Sequence, residues 1–137
     1  MADKRVLVAV SDDDERARVQ AELVSELFAP ERVEVVVHHN FTENPEGREI
    51  GDVGAVRRAE EILETNGFAV ERFETSGKSA STAILDAAGD RDADLVCIYA
   101  RKRSPTGKVL FGSVAQDVIL SSPRPVLIAP QPSFRAD

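Results

Sequence analysis

The sequence predicts an α/β fold, a mainly parallel sheet with helices on both faces. Short β-branched apolar runs alternate along the chain with segments of helical spacing, which is the signature of strand–helix–strand units. The runs nearest the two ends are continuously apolar, as strands covered on both faces are. At 137 residues the chain has room for one core and too little for two ordinary domains. Residues 1–137 are therefore read as a single domain, with 131–137 as a frayed, flexible tail.

Taken in order, residues 4–10 (KRVLVAV) form the first strand. Ser11-Asp12-Asp13-Asp14 then supplies turn and cap chemistry for a helix over 15–28, in which Ala17, Ala21, Val24 and Phe28 share a face and Pro30 ends the segment. Three adjacent aspartates at a helix start read as caps and dipole partners rather than as a metal site, because no second acidic cluster accompanies them. Residues 33–39 (VEVVVHH) are the second strand, and the Gly-, Pro- and acid-rich stretch 40–54 reads as exposed and mobile. Adjacent residues of a strand point to opposite faces, so His38 and His39 are not expected to serve one site together. A helix follows over about 53–66, lined by Val56, Ala59, Ile62 and Leu63 and stopped by Asn66-Gly67.

Residues 68–75 alternate as a third strand, and Ser76-Gly77-Lys78-Ser79 turns into a helix holding Ala83, Ile84, Leu85, Ala87 and Ala88. The fourth strand is 95–100, and a short helix lies around 113–121. Pro123 and Pro125 frame the fifth strand, Val126–Ala129, which Pro130 and Pro132 close.

Composition limits the function. The hydrophobic share of 42% is that of a globular protein, while a net charge of −7 and a pI near 4.9 argue against general binding to nucleic acid or anionic membranes. Lysine is confined to Lys4, Lys78, Lys102 and Lys108, an acidic and lysine-poor balance that suits the high-salt cytoplasm of a halophilic archaeon and equally an acidic mesophilic protein. The single cysteine, Cys97, lies in an apolar run, which fits a buried inert thiol in a reducing cytoplasm. No signal peptide and no apolar run of about 18 residues is evident, so a soluble cytoplasmic protein is expected.

In such sheets ligands sit beyond the carboxyl ends of the strands, where strand order reverses. The ends concerned are Val10-Ser11, His39-Asn40 and 99–102. The last leads into a loop carrying Arg101, Lys102, Arg103 and Lys108, ahead of a helix that opens at Gly112-Ser113. A helix start offers unpaired N–H groups and the positive end of the dipole, so this loop suits a phosphate or another anion; as a bare charge pattern it fits a solvated loop equally well. Gly107-Lys108 is not a P-loop, since Lys102 and Val109 stand where a glycine and a hydroxyl residue are required.

Along nearly its whole length the sequence resembles the universal stress protein family. The segments concerned are VLVAVSDDDE, VEVVVHH, SGKSASTAILDAA, DADLVCIYARKRSPTGKVLFGSVAQDVI and RPVLIA. The resemblance implies a flavodoxin-like, doubly wound five-stranded parallel sheet of order 3-2-1-4-5. Members that bind ATP carry a glycine, two residues, a second glycine, nine residues, and a glycine followed by Ser or Thr. With that spacing Gly112-Ser113 matches the last pair, whereas Tyr99 and Lys102 replace the first two glycines, and Ser11 stands where nucleotide-binding relatives often have Asp.

A tyrosine at 99 removes the close backbone approach that a glycine permits, while the loop cations offer charge-assisted donors instead. The resemblance places candidate contacts at Val10, Ser11 and His39 for the base and at Tyr99, Lys102, Arg103, Gly112, Ser113 and Val114 around the phosphates. Two readings stand. One is a stress-response protein taking ATP, another adenine nucleotide or another anion in an altered pocket. The other is a scaffold of the same fold that lacks nucleotide. No activated serine, no His–carboxylate pair and no metal cluster is legible, so an enzyme and a bound metal are not expected. The uncharged final strand is expected to pair with its copy in a homodimer, as related proteins do, and further protein partners stay unnamed.

Overall fold

In a computed structural model, residues 2–100 and 111–130 are described. The order of elements is β1 (Lys4–Ala9), α1 (Asp14–Leu27), β2 (Val33–Phe41), a 3-10 turn (Ile50–Asp52), α2 (Gly54–Thr65), β3 (Val70–Ser76), α3 (Ala80–Asp90), β4 (Leu95–Tyr99), α4 (Ser113–Ser121) and β5 (Val126–Ala129). The five strands are all parallel and lie in the order β3-β2-β1-β4-β5, as the resemblance implies.

Period-two alternation divides the core. Val6 and Val8 of β1, with Val35 and Val37 of β2, pack on Ala17, Ala21 and Val24 of α1 and Val56, Ala59 and Leu63 of α2. Leu7, Val36, Val96 and Ile98 face the other way, against Ile84, Ala87 and Ala88 of α3 and Ala115 and Val118 of α4. Each central strand therefore buries both faces, which is why these runs read as continuously apolar. Among the described residues no helix is long and apolar enough to cross a membrane.

Local chemistry sets the boundaries. Asp13 caps α1, its Oδ1 accepting the Arg16 N–H at 3.0 Å, so at least one of the three aspartates is a helix cap as expected. At the end of α2, Asn66 is the C-cap and Gly67 takes φ +93°, the left-handed geometry that favours glycine.

The segment 40–54 is largely exposed, as expected, but its first residues belong to β2. β2 continues through Asn40 to Phe41, because Phe41 is buried and the Asn40 side chain is bonded to Thr75 and to the Lys78 carbonyl. Beyond it, Asn44 exchanges hydrogen bonds with the backbone of Arg48, and the Ile50 N–H donates to Glu74 Oε1 at 2.8 Å. The stretch is thus hydrogen-bonded at several points. The cationic loop, including Lys102 and Arg103, and the tail 131–137 lie outside the described residues.

Candidate functional site

The carboxyl ends of β1, β2 and β4 open into a crevice of about 350 Å³. β1 turns away at Val10, whose N–H donates to the His38 carbonyl at 2.8 Å. Its floor and walls come from Val10, Ser11, Asp12, His38, His39, Ile98 and Tyr99, and Ile84 of α3 and Val114 and Ala115 of α4 close the far side. A second crevice of about 270 Å³ adjoins it over the start of α4, bordered by Ala100, Gly112 and Ser113. The two share Arg16, Tyr99, Val114 and Ala115 as walls.

The described sequence-derived candidates all border one crevice or both. Val10, Ser11, His39, Tyr99 and Val114 border the larger crevice; Tyr99, Gly112, Ser113 and Val114 border the smaller. Lys102 and Arg103 fall outside the described residues. Ser11 is exposed, and its Oγ accepts the Asp13 N–H at 3.2 Å, so it holds the turn into α1. A carboxylate stands one residue later, at Asp12, which also lines the crevice. Asp12 Oδ1 lies 3.8 Å from His39 Nε2 and 3.9 Å from an Arg48 Nη1, and with its side chain 72% exposed both pairings are well screened.

The histidine pair corrects the expectation that opposite faces keep the two apart. The rings do leave opposite faces: His39 packs edge-on to Phe41 at 4.7 Å and His38 lies 5.9 Å from Phe73. Both nevertheless border one crevice, because it lies beyond the strand ends rather than over one face. Neither ring is idle. His39 Nδ1 is 2.8 Å from the Val10 carbonyl, which fixes a proton on Nδ1 in the neutral ring. His38 Nε2 is 2.8 Å from Thr75 Oγ1, whose hydroxyl donates to Asn40 Oδ1 at 2.9 Å. Burial, with the neighbouring His39 second, pushes the His38 imidazole down to about 4, so it stays neutral at pH 7.

Two residues of α1 were not singled out by sequence reasoning. Gln20 is 1% exposed, and its amide donates to the Ala9 carbonyl at 2.8 Å and the Cys97 carbonyl at 3.3 Å. It satisfies backbone acceptors of β1 and β4 at the back of the crevice. Its polar character inside the apolar stripe Ala17, Ala21, Val24 was the available signal. Arg16 lies over the Tyr99 ring, its guanidinium carbon 5.0 Å from the ring centre. The Tyr99 ring packs against the α1-side core and forms a wall common to both crevices, leaving each its own volume. Cys97 is buried as expected, and burial pushes its thiol up to about 12, far from any reactive thiolate. No cluster of three or more potential metal ligands occurs among the described residues.

An apolar crevice leading to a helix start suits a nucleoside joined to phosphate, with Val10, Ile84, Ile98 and Val114 for the flat base and the α4 N–H groups for the anion. Comparison with known proteins gives this geometry its context. A universal stress protein of Mycolicibacterium smegmatis is 40% identical over 74 residues, which cover 54% of this chain and 57% of that protein's length. The structure of a universal stress protein from Archaeoglobus fulgidus is 32% identical, with a TM-score of 0.74 over 91% of this chain and 97% of that one. Another from the same organism, in complex with dAMP, is 26% identical with a TM-score of 0.69, covering 93% of this chain and 98% of that one. Residues 3–130 match the universal stress protein family, and the chain belongs to it.

Proposed function

We propose that this protein is a non-catalytic nucleotide-binding member of the family, which takes an adenine nucleoside in the larger crevice and directs its phosphates to the start of α4. The observation that carries the reading is the continuity of the two crevices through shared walls, one largely apolar and the other opening on Gly112, Ser113 and Val114. A relative of the same fold in complex with dAMP supports the choice of adenine. Val10, Ser11 and His39 border the nucleoside, while Lys102 and Arg103, which the sequence offers for the phosphates, lie outside the described residues. Tyr99 and Lys102, in place of glycines, deny the phosphates part of the backbone cradle, so affinity for ATP is weak and depends on side-chain charge.

The test is mass spectrometry of denatured, as-purified protein, followed by calorimetry with AMP and ATP. A released adenine nucleotide, or saturable heat with either ligand, is the expected result. The absence of both retained nucleotide and binding heat would refute the reading and favour a second one, a dimeric scaffold. That second reading has its own observation. β5 ends the sheet, and among the described residues its outer edge has no strand partner, while Val126, Leu127 and Ile128 are only partly buried.

A further inference from the structure

Arg16 and Tyr99 stand where the two crevices meet. Arg16 sits in the first turn of α1 and Tyr99 is the last residue of β4, and each borders both crevices. The guanidinium lies over the ring at 5.0 Å, a cation–π contact, and its Nε faces Asp13 Oδ2 at 3.7 Å. Asp13 is itself fixed as the α1 cap, so the arginine is steered from both sides. Among the described residues neither Nη has a hydrogen-bond partner, and the side chain is 39% exposed. A planar fork of donors, free among the described residues, thus stands at a wall that the two crevices share.

We infer that Arg16, held over the ring of Tyr99, receives the phosphate nearest the ribose and makes the site select nucleoside phosphates over nucleosides. The inference rests on the nucleotide reading above. A side chain at position 99 forgoes the close backbone approach of a glycine, and Arg16 restores a donor beside that position, as a charge-assisted one. Tyr99 is a positioning residue: its ring face is taken by the guanidinium, and it acts on the phosphate through Arg16. Because the contact is with the first phosphate, AMP and ATP both use it and adenosine does not.

Calorimetry on the full chain with AMP, ATP and adenosine tests this. Arg16→Ala is expected to weaken AMP and ATP by about ten- to a hundredfold and to leave adenosine within about twofold. Tyr99→Phe keeps the stacking and the affinity, whereas Tyr99→Leu weakens the two phosphates by about two- to fivefold. Equal losses for adenosine and AMP in Arg16→Ala would show a mere wall and overturn the inference, as would an unchanged AMP affinity. Arg16→Gln, which keeps the stem and removes the charge, decides the same question should the alanine variant fail to fold. A wild type that binds neither AMP nor ATP overturns the nucleotide reading and the inference together; a wild type that binds AMP irrespective of Arg16 overturns the inference alone.

Discussion

His38 allows a pH dependence to be worked out from the structure. The ring is 1% exposed, set beside Phe73 and bonded to Thr75 Oγ1 at 2.8 Å. Its pKa falls from an ordinary 6.5 to about 4, chiefly through burial. A folded-state value below the unfolded one means that the native state binds fewer protons. The contribution is therefore fully present above pH 6.5 and is lost as the pH falls through the window down to about 4. The whole shift corresponds to about 3 kcal/mol, of which about 2 kcal/mol disappears between pH 7 and 5. Carboxylates elsewhere add their own acid dependence, so the useful quantity is the difference from a variant that cannot titrate there. In urea denaturation at pH 7, 6 and 5, the stability of wild type minus that of His38→Gln should fall by about 2 kcal/mol between pH 7 and 5, whatever its value at pH 7. Parallel curves, or an NMR titration of the His38 ring centred near 6.5, would show that the ring is not desolvated as described.

Two further outcomes can be checked directly. Gln20→Leu leaves the Ala9 and Cys97 carbonyls without this donor, and should cost about 1–3 kcal/mol in urea denaturation; a loss under about 0.5 kcal/mol would mean that the amide does not bridge the two strands. If β5 pairs with its copy, sedimentation at micromolar concentration shows a dimer in low and in molar salt, and a monomer under both conditions refutes it. For disrupting that pairing, Leu127 packs on the α1 side of the core and Ile128 on the α3 side, so each substitution to Lys needs a thermal melt beside it.

The fold was legible because its signal is local. VLVAV and VEVVV are strands that bury both faces, VLIA is an apolar edge strand packed on both helical layers, and Asp13, Pro30 and Asn66-Gly67 mark helix ends by chemistry that acts within a few residues. β2 was drawn two residues short because Asn40 interrupts the apolar run; what holds it in the sheet is a side-chain bond to Thr75, 35 positions away. Even the strand order came from family resemblance, since pairing depends on crossovers that periodicity does not encode. The site was legible only in part. Val10, Ser11, His39, Tyr99 and Val114 follow from strand ends and motif spacing, and the structure gathers them around one crevice. Arg16 and Gln20 carry no motif: on the sequence they are two helical residues, and only the packing of α1 over β4 brings one onto Tyr99 and the other onto the Cys97 carbonyl.

The central claim is that an adenine nucleotide occupies the crevice at the ends of β1, β2 and β4. Its most direct test is a titration of isotope-labelled protein with AMP, followed through backbone amide shifts. Saturable shifts are predicted for Val10, Ser11, His39, Tyr99, Ser113 and Val114, with the far ends of the same strands, around Lys4, Val33 and Leu95, unmoved. Saturable shifts gathered at those far ends, or no shifts at millimolar AMP, would contradict it.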